Sequence, residues 1–172
     1  MIDVSHLTRL MENRGVARKS ELIGVSDAEI QSLENHFSLT FPASYREFLR
    51  SFGRSAGFLS PWMAIYFDDL KEIREQFDCL VAAGNLKFHL PENALLIANW
   101  ESVFDFIVCN ETADPPVYRI DIYQTDRANL RIYAESYSEY LQNMIETADA
   151  SALPSDFFED ETVEALNDTI HY

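Results

Sequence analysis

Four short apolar runs inside forty residues constrain this chain more than any other feature. Residues 94–99 (ALLIAN), 104–109 (FDFIVC), 117–123 (VYRIDIY) and 130–133 (LRIY) follow one another with links of four, seven and six residues. Parallel neighbours need a crossover of about a dozen residues or more, so links this short join antiparallel strands. Turn residues fill Asn110 to Pro116 and Thr125 to Asn129. The spacing predicts an antiparallel meander.

The flanking sequence has helical rather than strand periodicity. Val4, Leu7, Leu10 and Met11 mark one face of a helix from Val4 to about Asn13. Residues 15–24 form a basic, polar connection. Ser26-Asp-Ala-Glu29 reads as a capping box that opens a helix with Ile30, Leu33 and Phe37 on one stripe. Pro42 suits a helix start, and Tyr45, Phe48, Leu49 and Phe52 recur at helical spacing before Gly53 stops the run. GFLSPWMAIYF then reads as a strand apolar on both faces, with Pro61 at its beginning. Asp68 is placed to cap a helix whose stripe is Leu70, Ile73, Phe77, Leu80 and Val81, ending near Gly84. Tyr137, Tyr140, Leu141, Met144 and Ile145 give one more helix. The expected core includes Leu33, Phe37, Tyr45, Phe48, Leu49, Ile97, Phe106 and Ile120.

Helices, then a sheet with one crossing helix, then helices make an α+β domain, with about four to six strands packed by helices from both ends of the chain. Residues 1–148 form that domain. Residues 149–172 turn acidic around Pro154 and Phe157-Phe158 and read as an appended C-terminal segment of the same domain.

Charge narrows the partners. Thirteen Lys and Arg face twenty-nine Asp and Glu, a formal net charge of −16. After Arg131 the last forty-one residues carry ten acids and no Lys or Arg. Such a field disfavours nucleic acid and anionic lipid and favours basic partners, although acidity also serves solubility alone. No run of about eighteen apolar residues is present, so no membrane span is expected. The N-terminus has no basic flank followed by an apolar core, so no export signal is expected. Cys79 and Cys109 lie in apolar runs without redox or metal spacing and read as two buried, reduced thiols.

Catalytic patterns are missing from the sequence. The five glycines make no phosphate loop, and no G-x-S-x-G or H-E-x-x-H motif occurs. His6, His36, His89 and His171 are scattered, so no metal site and no cofactor is expected. The acids are too numerous for any one carboxylate pair to stand out. Trp62, Tyr66, Trp100, Tyr118 and Tyr123 exceed what one core face needs. They either pack beneath helices or anchor a protein partner.

One segment points to a family. Gly24-x-Ser26-x-x-Glu29-Ile30-x-x-Leu33-Glu34, Phe41-Pro42-x-x-Tyr45-Arg46-x-Phe48-Leu49 and Phe52-Gly53 resemble the opening of the SUKH superfamily. Leu90-Pro91 before ALLIANW, and the tyrosine-rich helix at 136–145, resemble its mid-sheet strand and closing helix. The likeness covers about residues 22–146. It implies a curved, mainly antiparallel sheet packed by helices. It also implies an immunity role, in which a cytoplasmic protein blocks a secreted polymorphic toxin, often a nuclease.

The residues and the resemblance together lead to a non-catalytic protein-binding domain, expected to neutralise a basic toxin in the cytoplasm. A regulatory or scaffold protein of the same fold is the alternative, and an enzyme ranks behind both. The candidate partner-binding residues are Trp62, Tyr66, Trp100, Glu101, Asp105, Glu111, Asp114, Asp121 and Tyr123. If helices cover one side of the sheet, strand alternation would gather Trp62, Tyr66, Arg119, Asp121 and Tyr123 on the open side.

Overall fold

A computed structural model of the chain describes residues 2–83, 89–109, 112–122 and 130–148. The first helix, α1, spans Val4–Asn13, and the Asp3 carboxylate accepts from the His6 amide at its start. Helix α2, Asp27–Phe37, opens on the expected capping box. Ser26 Oγ accepts from the Glu29 amide at 3.4 Å, and Glu29 Oε2 accepts from the Ser26 amide at 3.0 Å. The Ser26 hydroxyl also donates to Glu29 Oε2 at 2.6 Å, and the two bonds that Ser26 donates hold the Glu29 carboxyl below the usual range, with Arg54 adding to them.

Helix α3 covers Ala43–Phe52, with Pro42 as its cap residue at φ −58°. Glu34 explains why α2 and α3 are held together. Its side chain is buried, accepting from the Phe41 amide at 2.7 Å and from the Arg46 guanidinium at 3.0 Å through each carboxylate oxygen. A buried carboxylate needs partners of this kind, and here they fix the turn between the helices.

Two-residue strands β1, Leu22–Ile23, and β2, Ser55–Ala56, pair antiparallel on either side of this helix pair. Gly24 lets β1 reach α3 closely. A Cβ there would stand 1.7 Å from the Arg50 carbonyl oxygen, and neighbouring Val25 donates its amide to Leu49 O at 2.8 Å. Sequence reasoning treated 15–24 as a plain connection, because two residues carry no detectable periodicity.

The segment 62–67, expected as a strand, is not one. Its single ladder contact is an antiparallel bridge from Ala64 to Asn99. Asp69, rather than the expected Asp68, then accepts from the Ile65 and Tyr66 amides at 3.1 and 2.9 Å. A side-chain acceptor so close in sequence competes with strand pairing and turns the chain into a 3-10 turn ahead of helix α4, Leu70–Ala82.

The main sheet follows the predicted meander. Strands β3 (Ala94–Trp100), β4 (Val103–Val108), β5 (Val117–Asp121) and β6 (Arg131–Ala134) lie in that order, each antiparallel to the next. Helix α5, Tyr137–Thr147, closes the described chain.

Both faces of the sheet carry helices, which corrects the expectation of one open face. Neighbouring strand residues point to opposite sides. Phe104 meets Phe77 of α4 edge-on at 5.3 Å on one side. Asp105 meets the Tyr140 hydroxyl of α5 at 3.0 Å on the other. Tyr45, Phe48 and Tyr137 stack where α3 and α5 join, with ring centroids 5.2 to 6.0 Å apart. Of the expected core residues only Phe37 is half-exposed; the other seven are buried. The two cysteines are free, as expected, but Cys79 is exposed and only Cys109 is buried.

Candidate functional site

The nine candidate residues do not form one patch. Trp62, Trp100, Glu101 and Asp121 collect at one end of the sheet. There the β3–β4 hairpin pairs Trp100 with Val103, and Val103 pairs in turn with Asp121. Glu101 takes a positive φ of 53° in that hairpin, and Asn99 Nδ2 donates to its carbonyl at 3.2 Å. The Ser102 hydroxyl donates to Asp121 at 3.2 Å, tying β5 to the same turn. Tyr66 is half-buried, and its hydroxyl accepts from the Ala56 amide at 3.3 Å, so the phenol serves the fold.

Asp105 stands apart from the others. It is 1% exposed at the centre of β4, where the register sets it opposite Arg119. Arg119 Nε and Nη2 donate to its two oxygens at 2.7 Å each, and Tyr140 adds its hydroxyl. The Arg119 guanidinium also lies 3.5 Å from the centroid of the Tyr133 ring. Asp105 therefore locks α5 to the sheet and offers no oxygen to a partner. Arg119 is placed with it and shares that covered face.

Asp114 lies at the other end of β5, where its carboxylate accepts from the Ser138 amide at 3.0 Å. About five strand residues at roughly 3.4 Å each separate that end from Trp100. Glu111 and Tyr123 lie outside the described residues.

What the structure builds around the tryptophans is a groove of about 320 Å³. Phe58, Leu59, Pro61, Trp62 and Met63 form one wall. Trp100 and the last turn of α5, Met144, Thr147 and Ala148, form the other. Trp62 is 69% exposed and Trp100 is 51% exposed, so both rings face outward rather than into the core. Among the described residues no ionisable side chain lines the groove, and Glu101 borders it at the hairpin. The methionines give it a wall that can repack around different shapes.

Sequence reasoning missed the groove because its walls come from three distant stretches: the irregular 58–63 segment, the β3–β4 hairpin and the C-terminus of α5. The dense apolar run FLSPWM was the available signal, but it was read as a strand.

Among the described residues no three metal-ligating groups come together, and no helix is long and apolar enough to cross a membrane. Burial pushes the Cys109 thiol up to about 12, so it carries little nucleophilic thiolate near neutrality. Burial likewise raises the Tyr45, Tyr137 and Tyr140 phenols well above their ordinary value.

These features define a class: an antiparallel α+β domain with helices on both faces of its sheet and an apolar groove at one sheet end. The chain belongs to the SMI1 / KNR4 family (SUKH-1), which matches residues 24–143, 120 of its 172 residues. The match begins at Gly24 and includes Glu34, Pro42 and Arg46, the residues that set the α2–α3 pair. The family is known for immunity-type domains that are generally non-catalytic. A comparison with curated proteins found no match.

Proposed function

We propose that this chain is a non-catalytic immunity protein that binds and neutralises a cationic toxin domain in the cytoplasm, with the Trp62–Trp100 groove as its anchor. The observation that carries this reading is the exposure of both tryptophans in one groove whose described lining holds no ionisable side chain, on a chain of net charge −16. Exposed tryptophans lining a groove are the residue type that dominates protein interfaces. The surrounding negative field acts at longer range and raises the encounter rate with a basic partner. Family membership supports the immunity role, and the identity of the toxin is left to its chemistry: cationic, secreted and acting inside the cell.

The test is co-expression with a cationic toxin domain encoded beside this chain, followed by binding kinetics. Growth should be rescued by the wild-type chain. Trp62→Ala or Trp100→Ala should raise the dissociation rate at least about tenfold, the equivalent of roughly 1.4 kcal/mol, a modest value for a buried aromatic anchor. Raising salt from about 0.05 to 0.5 M should slow association first, because screening acts on steering. Dissociation unchanged in both variants would remove the groove from the interface. A regulatory partner in place of any toxin would favour the alternative role.

A further inference from the structure

The tryptophans of the groove sit in negative surroundings. Indole is the best of the aromatic side chains at attracting a cation to its face, and Trp62 and Trp100 leave 69% and 51% of their surface open. Helix α5 ends in the Trp100 wall with no basic residue in its last turn, so the negative end of its dipole meets the groove. Glu101 stands at the rim, and its exposed carboxylate makes no ion pair with a described residue. Its φ of 53° is an uncommon setting for a side chain of this length, so the hairpin holds a carboxylate where a smaller residue fits more easily.

The described lining offers no cation of its own to the rings. Across Phe58, which lines both, a second cleft of about 430 Å³ holds Arg18 together with two carboxylates, Glu12 and Glu21. Arg14 and Lys19, on the same connection, line neither cleft. A purely apolar anchor would use the rings and the two methionines and leave the field idle. Arginine uses both. Its guanidinium is planar, weakly hydrated and stacks on aromatic faces, while its methylene stem buries along an apolar wall. A lysine ammonium is more strongly hydrated and costs more to strip of water. The chain makes such contacts internally: the guanidinium of Arg119 lies 3.5 Å from the Tyr133 ring centroid, and that of Arg54 lies 5.5 Å from that of Phe67.

We infer that the groove is an arginine receptor: the partner's anchor is an arginine whose stem lies along Met63 and Met144 and whose guanidinium rests against the indoles of Trp62 and Trp100, with Glu101 at the rim. The inference rests on the proposed partner site and deepens it by naming what enters. It also separates two roles of charge. The net charge of −16 steers any basic surface toward this chain, whereas the groove holds only a surface that presents an arginine in reach. A basic protein with lysines alone would arrive quickly and leave quickly.

Trp62 and Trp100 are the chain's two tryptophans, so the two indole N–H signals in a proton–nitrogen NMR spectrum of the full-length chain report on the groove alone. The probes are three blocked tripeptides with alanine on either side of arginine, citrulline or norleucine. Citrulline keeps the shape of arginine without its charge, and norleucine keeps only the stem. The arginine peptide should shift both indole signals with a dissociation constant in the millimolar range. The citrulline and norleucine peptides should bind at least about fivefold more weakly, the loss of one cation–π contact. Glu101→Gln, with an otherwise unchanged spectrum showing that the fold is kept, should weaken the arginine peptide by about twofold and leave the norleucine peptide as it was. Citrulline or norleucine binding as tightly as arginine overturns the inference, because the groove then takes an uncharged anchor. Indole signals that do not respond to the arginine peptide also overturn it. The partner reading is judged separately, from the dissociation rates of the Trp62→Ala and Trp100→Ala complexes, and an uncharged anchor in the groove would leave it standing.

Discussion

Replacing Asp105 separates a residue that holds the fold from one that meets a partner. Asp105→Ala removes an acceptor of three hydrogen bonds, two from Arg119 at 2.7 Å and one from Tyr140 at 3.0 Å. The Arg119 side chain is 18% exposed, so its charge stays mostly inside the protein with no counter-charge beside it. Removing one member of a buried pair costs about 3–5 kcal/mol. The orphaned Tyr140 hydroxyl keeps the value in the upper part of that range, and partial hydration of Arg119 keeps it from rising further, which sets the expectation at about 4 kcal/mol. Arg119→Ala should cost a similar amount, because it strands a carboxylate that is 1% exposed. The double variant loses both charges together and should be less unstable than the sum of the singles by about 2–3 kcal/mol. Urea unfolding of the four proteins, followed by circular dichroism, gives the cycle. The reasoning fails if the singles add to within about 0.5 kcal/mol, or if Asp105→Ala costs less than about 1 kcal/mol. Under conditions where Asp105→Ala stays folded, its association rate with a basic partner should be close to wild type, because the net charge moves only from −16 to −15 and the carboxylate itself is buried away from any partner.

Gly24→Ala should destabilise by about 3 kcal/mol in the same assay, since its methyl would fall on the Arg50 carbonyl and backbone cannot yield as a side chain does. A thiol reagent at pH 8 should titrate one cysteine of the native chain, the exposed Cys79, and two after unfolding; two fast thiols in the native state would contradict the burial of Cys109. Stability should fall as pH rises. Cys109 and the phenols of Tyr45, Tyr137 and Tyr140 have folded values raised above their unfolded ones, so the native state holds more protons there. Their contribution is complete below about pH 8.5, the unfolded thiol value, and is lost progressively toward 12, the folded value of Cys109. A urea midpoint unchanged between pH 8 and 11 would refute this.

Helices and strands were legible where one pattern ran long enough to register. The 3.6-residue stripes placed all five α-helices of the described residues, and the capping box at Ser26 and Glu29 set the start of α2. Link length alone set the antiparallel order of β3 to β6. The segment 62–67 failed because alternation describes side chains and says nothing of a local acceptor, and Asp69 captured the two amides a strand would have shared. Asp105 looked like a surface acid because its partner is fourteen residues away in sequence and is brought opposite only by the β4–β5 register. Trp62 and Trp100 could be picked out as excess aromatics. Their meeting in one groove depends on the Ala64–Asn99 bridge, which no local pattern announces.

Strand β6 bears on how this protein can be handled at high concentration. Among the described residues it pairs only with β5, and Leu130, Ile132 and Tyr133 beside that free margin are 46%, 53% and 45% exposed. A margin of unpaired amides with apolar flanks is a template for another molecule's strand. One positive residue, Arg131, lies among them as a gatekeeper, which is slender protection. Mutual repulsion between molecules of charge −16 supplies the rest, and it reaches only about 8 Å in physiological salt. The same acidity that would steer the proposed basic partner thus keeps copies of this chain from sticking to one another, and a solution near pH 4.4, where the net charge vanishes, is where they will precipitate.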